Sequence, residues 1–306
     1  MDYIAVGDLL LDTVRFADGS DSGVNAGGPV AFGYTGLRLW TDSCCMVCNA
    51  GADYYPYFEP WLKRNHIPTD GIHVKTDYTN HFYITYRPDG TYEYGYGLEG
   101  KWGTINFGYL RVDADDIAPF CPGLKGLYID QPIDRVFWKN MLALKKKYGF
   151  KIMWEIQRET YFPNAASVIR EIVPQVDVFS INSREGREFF GATTDEEIIE
   201  ILKSFETPCF FRVGDKGSHF IQNGRDHYVP SVVIDKAEDP TGCGNSSTAT
   251  AMYAFCEGYA PYEIAVMANV TAAYNLRQYG LIPEFSDEIR AQARERFRQL
   301  CQRYQA

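Results

Sequence analysis

The residues best suited to chemistry lie in one stretch, residues 239–250, which reads DPTGCGNSSTAT. Gly242 and Gly244 are separated by one residue and precede a run of small residues, 246–256, that predicts a helix. The first N–H groups of a helix have no partner within it, and glycines let an anion approach the backbone closely. On these residues alone, a phosphate cradle and an ordinary helix start capped by Thr241 are equally well supported.

A second candidate set lies near the N-terminus and combines carboxylates with glycines. Residues 3–6 form a short β-rich run, which is followed by Asp8 and Asp12. Open α/β sheets bind ligands at the carboxyl ends of their strands, so this arrangement favours a substrate site. Acids in a surface loop are the alternative. Gly27 and Gly28 precede a helical pattern, which suits close approach of a ligand to the backbone.

The elements that must position these residues follow an alternating order. Strand patterns at 126–129, 151–154 and 176–181 alternate with helix patterns at 134–147 and 165–173. That order predicts a parallel, doubly wound sheet. Between residues 72 and 107 the pattern changes to aromatic-rich strands of alternating polarity, with a hairpin turn at residues 88–90.

The composition fits one α/β domain or two small ones, and we favour a single domain over residues 1–306 with an appendage. Hydrophobic residues make up 45% of the chain and aromatic residues 15%, enough to bury a sizeable core. The formal net charge of −10 and the pI of about 5.1 argue against a nucleic-acid or anionic-membrane partner, since both require a basic face. The N-terminus lacks the pattern of a signal peptide, and no run approaches transmembrane length, so we expect a cytoplasmic protein.

The eight cysteines are scattered along the chain. Cys45 and Cys48 have the CxxC spacing of redox and metal sites, but no second pair or histidine cluster accompanies them in the sequence. We therefore expect buried, reduced thiols.

The stretch Asp-Pro-Thr-Gly-Cys-Gly-Asn resembles the C-terminal signature of the ribokinase-like (PfkB-type) carbohydrate kinases, whose common form is Asp-Thr/Pro-Thr-Gly-Ala-Gly-Asp. The resemblance implies that the N–H groups of Gly242, Cys243 and Gly244 form the phosphate cradle. It also places Asn245 where the family has its catalytic base, an Asp. An amide has no usable basicity, and general-base catalysis contributes roughly 10²- to 10⁴-fold in rate, so phosphoryl transfer should be impaired here.

Another carboxylate would restore the reaction if it reached the substrate hydroxyl, and Asp12 and Asp239 are the candidates, with Asp239 the weaker. The replacement at Asn245 has three explanations that the sequence leaves open. They are a natural variant with altered chemistry, a sugar- or nucleotide-binding protein without catalysis, and an engineered Asp-to-Asn trap.

The N-terminal pattern Gly-Asp-x-x-x-Asp, followed by Gly-Gly before a helix, is similar to the sugar-binding half of the same family. By this resemblance, substrate hydroxyls would be held by Asp8, Asp12, Gly27 and Gly28. Many members have an Asn four residues after the Gly-Gly pair, where this chain has Phe32. The corresponding polar contact is therefore either missing or supplied by Asn25.

Two further motifs, together with Asn269 in the predicted helix 261–278, resemble the nucleotide-binding half of the family. Asn-Ser-Arg-Glu at 182–185 is similar to its Asn-x-x-Glu motif, and Gly-Asp-Lys-Gly at 214–217 to its nucleotide-binding turn. A capped helix start and a plain β-turn are the alternatives. The implied nucleotide-binding residues are Asn182, Glu185, Gly214, Lys216, Gly217 and Asn269. Glu185 would also bind Mg²⁺ through water, because hard cations prefer oxygen ligands and keep most of their waters.

Together these segments imply a ribokinase-like three-layer α/β/α doubly wound sheet with a small β-sheet lid, drawn from about residues 12–24 and 72–107. The resemblance implies ATP and Mg²⁺ as cofactors, and a small sugar or related polyol as substrate. It also implies that the lid closes over the sugar and could pair two subunits into a homodimer. Two alternatives stay open, a non-catalytic sugar- or nucleotide-binding protein on the same fold and a nucleoside kinase.

Overall fold

The computed structural model describes the backbone of residues 1–88, 92–98, 101–102, 107–156 and 165–305. The hairpin turn predicted at residues 88–90 lies partly outside the described residues. No helix in the described part of the chain is both long enough and apolar enough to cross a membrane.

The described strands, in chain order, fall into two sheets. They are β1 (Tyr3–Val6), β2 (Leu10–Arg15), β3 (Asn25–Gly27), β4 (Cys44–Gly51), β5 (Ile72–Thr76), β6 (His81–Tyr86), β7 (Tyr92–Leu98), β8 (Lys101–Trp102), β9 (Gly126–Asp130), β10 (Lys151–Glu155), β11 (Val178–Asn182), β12 (Cys209–Arg212), β13 (Gly217–Gln222) and β14 (Arg225–Pro230).

Over the described residues, the larger sheet has the order β14-β13-β12-β11-β10-β9-β1-β4-β5. Its strands pair in parallel from β5 across to β12, and β13 and β14 add an antiparallel hairpin at one edge. Strands β1, β4 and β9 are buried along their whole length, as expected for a parallel sheet covered on both faces. The predicted parallel, doubly wound sheet is confirmed.

The smaller sheet has the order β3-β2-β6-β7-β8 over the described residues. It contains strand material from both expected regions, but its strands differ from the expected ranges. Strand β5 belongs instead to the edge of the larger sheet, where it pairs with β4. Gly71 permits this pairing, because a Cβ at that position would overlap the Met46 carbonyl oxygen. We refer to the smaller sheet as the lid.

The helices connect and cover these strands. They are α1 (Pro29–Arg38), α2 (Tyr55–Arg64), α3 (Phe107–Leu110), α4 (Ala114–Ile117), α5 (Arg135–Tyr148), α6 (Ala165–Ile172), α7 (Ser183–Phe190), α8 (Asp195–Lys203), α9 (Cys243–Cys256), α10 (Pro261–Asn275) and α11 (Asp287–Gln305). Helices α5, α6 and α7 lie between consecutive parallel strands, as βαβ connections require. Helix α9 packs between α1 and α10 and also contacts β9 and β10.

The cysteines of the CxxC pair lie in the core. Cys45 and Cys48 are buried on β4, together with Cys44. Burial raises the pKa of the Cys44 and Cys45 thiols to about 12, which keeps them protonated near neutral pH.

Helices α1 and α9 cross at a point where their backbones nearly touch. A Cβ at Gly36 would overlap the carbonyl oxygen of Ser246. The hydroxyl of Thr250 donates to the Gly36 carbonyl at 2.9 Å, which fixes the two helices at this crossing. The start of α9 is thereby held against the helix that follows the Gly27-Gly28 pair.

We expect Gly36→Ala to destabilise the protein by about 1–3 kcal/mol, because the added methyl group must push α9 away from α1. Chemical denaturation measures the change. Gly108→Ala is the matched control, since a Cβ there meets open space and should leave the free energy of unfolding unchanged or slightly higher. An equal effect of the two substitutions would contradict the close crossing.

Candidate active site

The stretch at residues 239–244 forms a tight loop that leads into α9. Gly242 precedes the helix with φ 77°, a left-handed conformation that favours glycine. The buried Asp239 carboxylate accepts hydrogen bonds from the Thr241 N–H at 3.0 Å and from its hydroxyl at 2.7 Å. The Asn275 amide, at the end of α10, donates to the Thr241 carbonyl at 2.7 Å. The loop is therefore fixed from both sides.

The start of α9 presents backbone donors. Among the described residues, no side chain caps this helix start. The N–H of Cys243 donates to the Pro240 carbonyl at 3.1 Å, so the next two N–H groups, those of Gly244 and Asn245, are the better placed to receive an anion. Of the predicted cradle donors, Cys243 is thus already engaged in the loop.

The side chain of Asn245 joins the loop to the ends of two strands. Its Nδ2 lies 3.1 Å from the Tyr128 hydroxyl, 3.1 Å from Asp130 Oδ2 and 3.3 Å from Glu155 Oε2. The Tyr128 hydroxyl in turn donates to Glu155 Oε2 at 2.6 Å. The amide is a donor placed among oxygen acceptors, and two of those acceptors are buried carboxylates.

Arg212 brings a positive charge to this cluster. Its Nη1 lies 2.8 Å from Glu155 Oε1, its Nη2 lies 3.7 Å from Glu185 Oε2, and its Nε donates to the Ser180 hydroxyl at 3.1 Å. A Cβ at Gly244 would overlap Arg212 Nη1, so the guanidinium lies directly against the cradle. The second glycine of the motif makes room for this arginine.

The pKa values of two buried carboxyl groups in this cluster are raised. Burial, with a further contribution from the Glu155 charge, raises the pKa of Asp130 well above its ordinary value. Burial also raises the pKa of Glu185 to about 7, although Arg212 opposes the shift. Protons are therefore held here at pH values where exposed carboxyl groups have lost them.

Asn182 and Glu185 form the start of α7. The Asn182 side chain accepts from the Glu185 N–H at 3.0 Å, and Glu185 Oε2 accepts from the Asn182 N–H at 2.7 Å. This is the reciprocal capping arrangement that the sequence offered as the structural alternative. Because Glu185 also lies near Arg212, the cap brings its carboxylate to the active-site cluster.

The N-terminal set assembles around the Gly27-Gly28 pair. Asp12 Oδ2 accepts from the Gly28 N–H at 3.3 Å, and its carboxylate occupies the space that a Cβ at Gly27 would fill. Gly28 has φ 90°, which favours glycine. Burial raises the pKa of Asp12 to about 7 and that of Asp8 to about 6. The structure thus brings together four of the five predicted substrate residues.

The two sets of residues meet where β1 and β9 pair. A Cβ built on Gly7 would lie 3.2 Å from the Asp130 carbonyl oxygen and 3.4 Å from its Cβ. Asp8, the next residue, is close enough for its charge to raise the pKa of Asp130. Asp130 therefore lies between the N-terminal set and the start of α9.

Three predicted site residues have their side chains directed elsewhere. The Asn25 amide donates to Ser22 and Gly23 in its own loop. Asn269 accepts from the Ser218 hydroxyl and donates to the carbonyls of Val229 and Pro230, which ties α10 to the hairpin of β13 and β14. Lys216 is exposed, with its Nζ 3.7 Å from Asp195.

The other two residues of the predicted nucleotide turn shape the backbone. Gly214 has φ 66° and Gly217 has φ 122°, and between them the chain makes one turn of 3₁₀ helix before β13. A Cβ at Gly217 would overlap the Val229 carbonyl oxygen. The turn is therefore a glycine-dependent entry into the hairpin.

A cavity of about 950 Å³ lies beyond the end of α10. Its walls are the loop at 232–236, the α10 end with Tyr274 and Arg277, and α11 with Arg296. Because Asn275 in the same turn binds the Thr241 carbonyl, the end of α10 borders both the cavity and the cradle loop.

Sequence reasoning missed three side chains of the cluster: Asp130, Glu155 and Arg212. Each is the last residue of its strand, β9, β10 or β12. Asn182 is the last residue of β11, which lies between β10 and β12 in the sheet. A polar residue directly after a buried apolar run was the available signal, because parallel strands bring their carboxyl ends to one edge. The predicted strands at 126–129 and 151–154 ended one residue too early to show it.

Comparison with known proteins identifies the family. Residues 35–288 match the model of the pfkB family carbohydrate kinases. The chain belongs to this family. The cytidine kinase of Thermococcus kodakarensis is 23% identical over 258 residues, covering 80% of this chain and 85% of the relative.

Solved structures of a ribokinase and an adenosine kinase share the fold. The ribokinase of Arabidopsis thaliana, solved with ribose and ATP, superposes with a TM-score of 0.75 at 17% identity, covering 97% of this chain and 98% of that one. The adenosine kinase of Sinorhizobium meliloti gives a TM-score of 0.73 at 15% identity, covering 96% and 98%. The predicted ribokinase-like fold is confirmed.

The environment of Asn245 predicts that a carboxylate is unfavourable at this position. In Asn245→Asp, the new group would face Asp130 and Glu155 without a proton to donate, so its folded-state pKa should rise. A raised pKa makes the penalty small near pH 5 and larger at pH 8, where we expect a loss of about 1–3 kcal/mol. Chemical denaturation at both pH values measures it.

Asn140→Asp, at an exposed position on α5, is the control and should stay near wild type at both pH values. If Asn245→Asp were as stable as the wild type at pH 8, the amide would not be required between the carboxylates.

The raised pKa of Asp12 predicts that the stability of the protein depends on pH. Its pKa is about 7 in the folded chain against an ordinary value of 3.8, so the folded state binds more protons between these values. The free energy of unfolding should therefore fall as pH rises from 4 to 7. We expect Asp12→Asn to flatten this fall, measured by denaturation at pH 5 and pH 8, whereas Asp115→Asn at an exposed site should not. Superimposable profiles of Asp12→Asn and wild type would contradict the shift.

Proposed function

We propose that this chain transfers the γ-phosphoryl group of ATP to a hydroxyl of a small sugar or of a substrate containing a sugar. One observation carries the proposal. The N-terminal carboxylates and the anion-binding start of α9 meet at Asp130, on the edge of the sheet where β1 and β9 end. Phosphoryl transfer requires these two halves to face each other, because it depends mainly on positioning and on stabilising charge.

The cavity at the end of α10 suits the nucleotide. At about 950 Å³ it is of the size that small-molecule sites have. It combines apolar walls with cationic side chains, among them Arg277 and Arg296, and with the acidic Asp235 and Glu295. A nucleotide lying there would extend its phosphates past the end of α10 towards the N–H groups of Gly244 and Asn245. Arg212, which lies against Gly244, would add positive charge where the transferred group gains negative charge.

The side-chain oxygens beside the proposed position of the phosphates suit Mg²⁺. The Asn182 and Glu185 side chains are oxygen donors at the start of α7, and Glu185 is buried next to the cradle arginine. We propose that Glu185 holds the ion through water while the ATP phosphates provide its direct ligands. The ion would neutralise charge on the phosphate oxygens.

Substrate hydroxyls would be bound by Asp8, Asp12 and the backbone of Gly27 and Gly28. Buried Asp12 Oδ1 supports this assignment, because no group among the described residues forms a hydrogen bond with it. A substrate hydroxyl would satisfy that oxygen. The lid would then cover the substrate and exclude water, which protects ATP from hydrolysis.

A nucleoside is the second candidate substrate, because the surroundings are more apolar than a free sugar needs. Phe32 replaces the expected amide and packs against Gly242, and the strand register places Phe82 and Ile84 on the same lid face as Asp12. Apolar and aromatic surfaces suit a base attached to the sugar. The relatives that are named cytidine kinase and adenosine kinase are consistent with this option.

A phosphoryl-transfer assay with ATP and Mg²⁺ over free sugars, polyols and nucleosides tests the function. We expect transfer to at least one substrate. Asp12→Asn should lower kcat/KM roughly ten- to hundredfold, mainly through KM, because a charged hydrogen bond to the substrate is worth about 1.5–3 kcal/mol. Asp115→Asn is the matched control.

A different result would favour the non-catalytic alternative. If thermal shift reports binding of a sugar or nucleotide while no substrate in the panel receives phosphate, the chain is a binding protein on a kinase fold.

A further inference from the structure

The cluster around Asn245 contains carboxylates that the proposed function has not yet used. The family has a carboxylate at this position in the chain, and an amide cannot accept the proton of the attacking hydroxyl. The question is which group at the site does.

We propose that Asp130 is the general base of the reaction, acting from the end of β9 in place of a carboxylate on α9. The proposal deepens the proposed function and rests on it. It requires the carboxylate of Asp130 to lie beside the substrate hydroxyl that faces the cradle.

The position of Asp130 supports this role. Its Oδ2 accepts from Asn245 Nδ2 at 3.1 Å, so the carboxylate lies against the first turn of α9, where the phosphoryl group would arrive. Its main chain and Cβ lie beside Gly7, immediately before Asp8 of the substrate set. Asp130 is thus the carboxylate that borders both the substrate set and the cradle helix.

The other carboxylates at the site form hydrogen bonds or ion pairs with other parts of the structure. Glu155 uses one oxygen for Arg212 and the other for Tyr128 and Asn245. Glu185 caps α7, and Asp239 holds the loop through Thr241. These hydrogen bonds hold Arg212, the start of α7 and the cradle loop in place.

Asp8 and Asp12 are the remaining competitors, and both are assigned above to the binding of substrate hydroxyls. Asp12 also differs in its contacts. It binds the Gly28 N–H on the lid side of the site and has no hydrogen bond to the α9 helix. That position suits binding of a substrate hydroxyl, as proposed above. The kinetics of Asp12→Asn given above, with the loss expected mainly in KM, separate binding from proton transfer.

The electrostatic environment is consistent with a base. Burial together with the charges of Glu155, Asp8 and Glu185 raises the pKa of the Asp130 carboxyl, while Arg212 opposes the rise. A base is most effective when its proton affinity is matched to the working pH, and an ordinary aspartate is weaker than that optimum.

Asn245 then has a positioning role. Its amide donates to Asp130 and Glu155 and holds both carboxylates in place without adding a charge. A carboxylate on α9 would be repelled by the carboxylate on β9. In this chain the amide therefore lies on the helix, at Asn245, and the carboxylate lies on the strand, at Asp130.

The chemistry of the step balances. The substrate hydroxyl loses its proton to an Asp130 oxygen as its own oxygen forms a bond to the γ-phosphorus of ATP. The bond between that phosphorus and the bridging oxygen of ADP breaks, and ADP leaves with the electron pair. Asp130 returns the proton to solvent after product release.

The test compares Asp130→Asn with the exchanged double variant Asp130→Asn/Asn245→Asp, on the best substrate of the panel. We expect Asp130→Asn to lower kcat about 10²- to 10⁴-fold, with ligand binding retained by thermal shift. The double variant returns a carboxylate to α9 beside an amide on β9, so it should exceed Asp130→Asn by roughly tenfold or more. Asp177→Asn is the matched control, since that carboxylate binds the Ile152 N–H at the opposite edge of the sheet.

If the double variant fails to fold, a second measurement tests the same proposal. In Asp130→Ala, added formate can occupy the space of the lost carboxylate, and we expect the transfer rate to rise with formate concentration. A purely structural Asp130 would give no such rise.

The outcomes distinguish this inference from the function. Near wild-type kcat in Asp130→Asn, or no rescue by either the exchange or formate, would overturn Asp130 as the base and leave the kinase intact. Absence of transfer by the wild-type protein would overturn both.

Discussion

The hydrogen bonds of the Asn245 amide are the interaction on which the active site depends. One nitrogen on the first turn of α9 reaches a tyrosine on β9 and a carboxylate at the end of each of β9 and β10. Without that donor, the buried carboxylates of Asp130 and Glu155 would face one another without the amide between them. The amide therefore joins the cradle helix to the sheet and makes a dense group of acids compatible with a folded core.

The fold brings this group together by strand order. Strands β9, β10, β11 and β12 are neighbours in parallel, and they end on Asp130, Glu155, Asn182 and Arg212. Helix α9 starts above these ends, and its glycines leave room for Phe32 on one side and Arg212 on the other. A small change in the packing of α9 would therefore disturb the cradle, the arginine and the carboxylates at the same time.

Much of the fold could be predicted from the sequence because strand and helix periodicities are local. The sequence could not predict to which sheet β5 belongs, since an isolated strand pattern does not identify the strand with which it pairs. The cradle was found because its glycines and helix start are contiguous. Asp130 and Asn245 are 115 residues apart, and only the sheet order makes them neighbours. Polar residues at predicted strand ends were the signal that could have revealed the cluster.

The central claim is that a substrate hydroxyl lies between the cradle and Asp130. A crystal structure with substrate and a non-hydrolysable ATP analogue tests it most directly. We expect an Asp130 carboxylate oxygen within about 2.6–3.2 Å of the hydroxyl that faces the γ-phosphate. The account would be contradicted if the hydroxyl that faces the γ-phosphate were hydrogen-bonded to Asp12 instead. It would also be contradicted if that hydroxyl pointed at Asn245 with no carboxylate within hydrogen-bond distance.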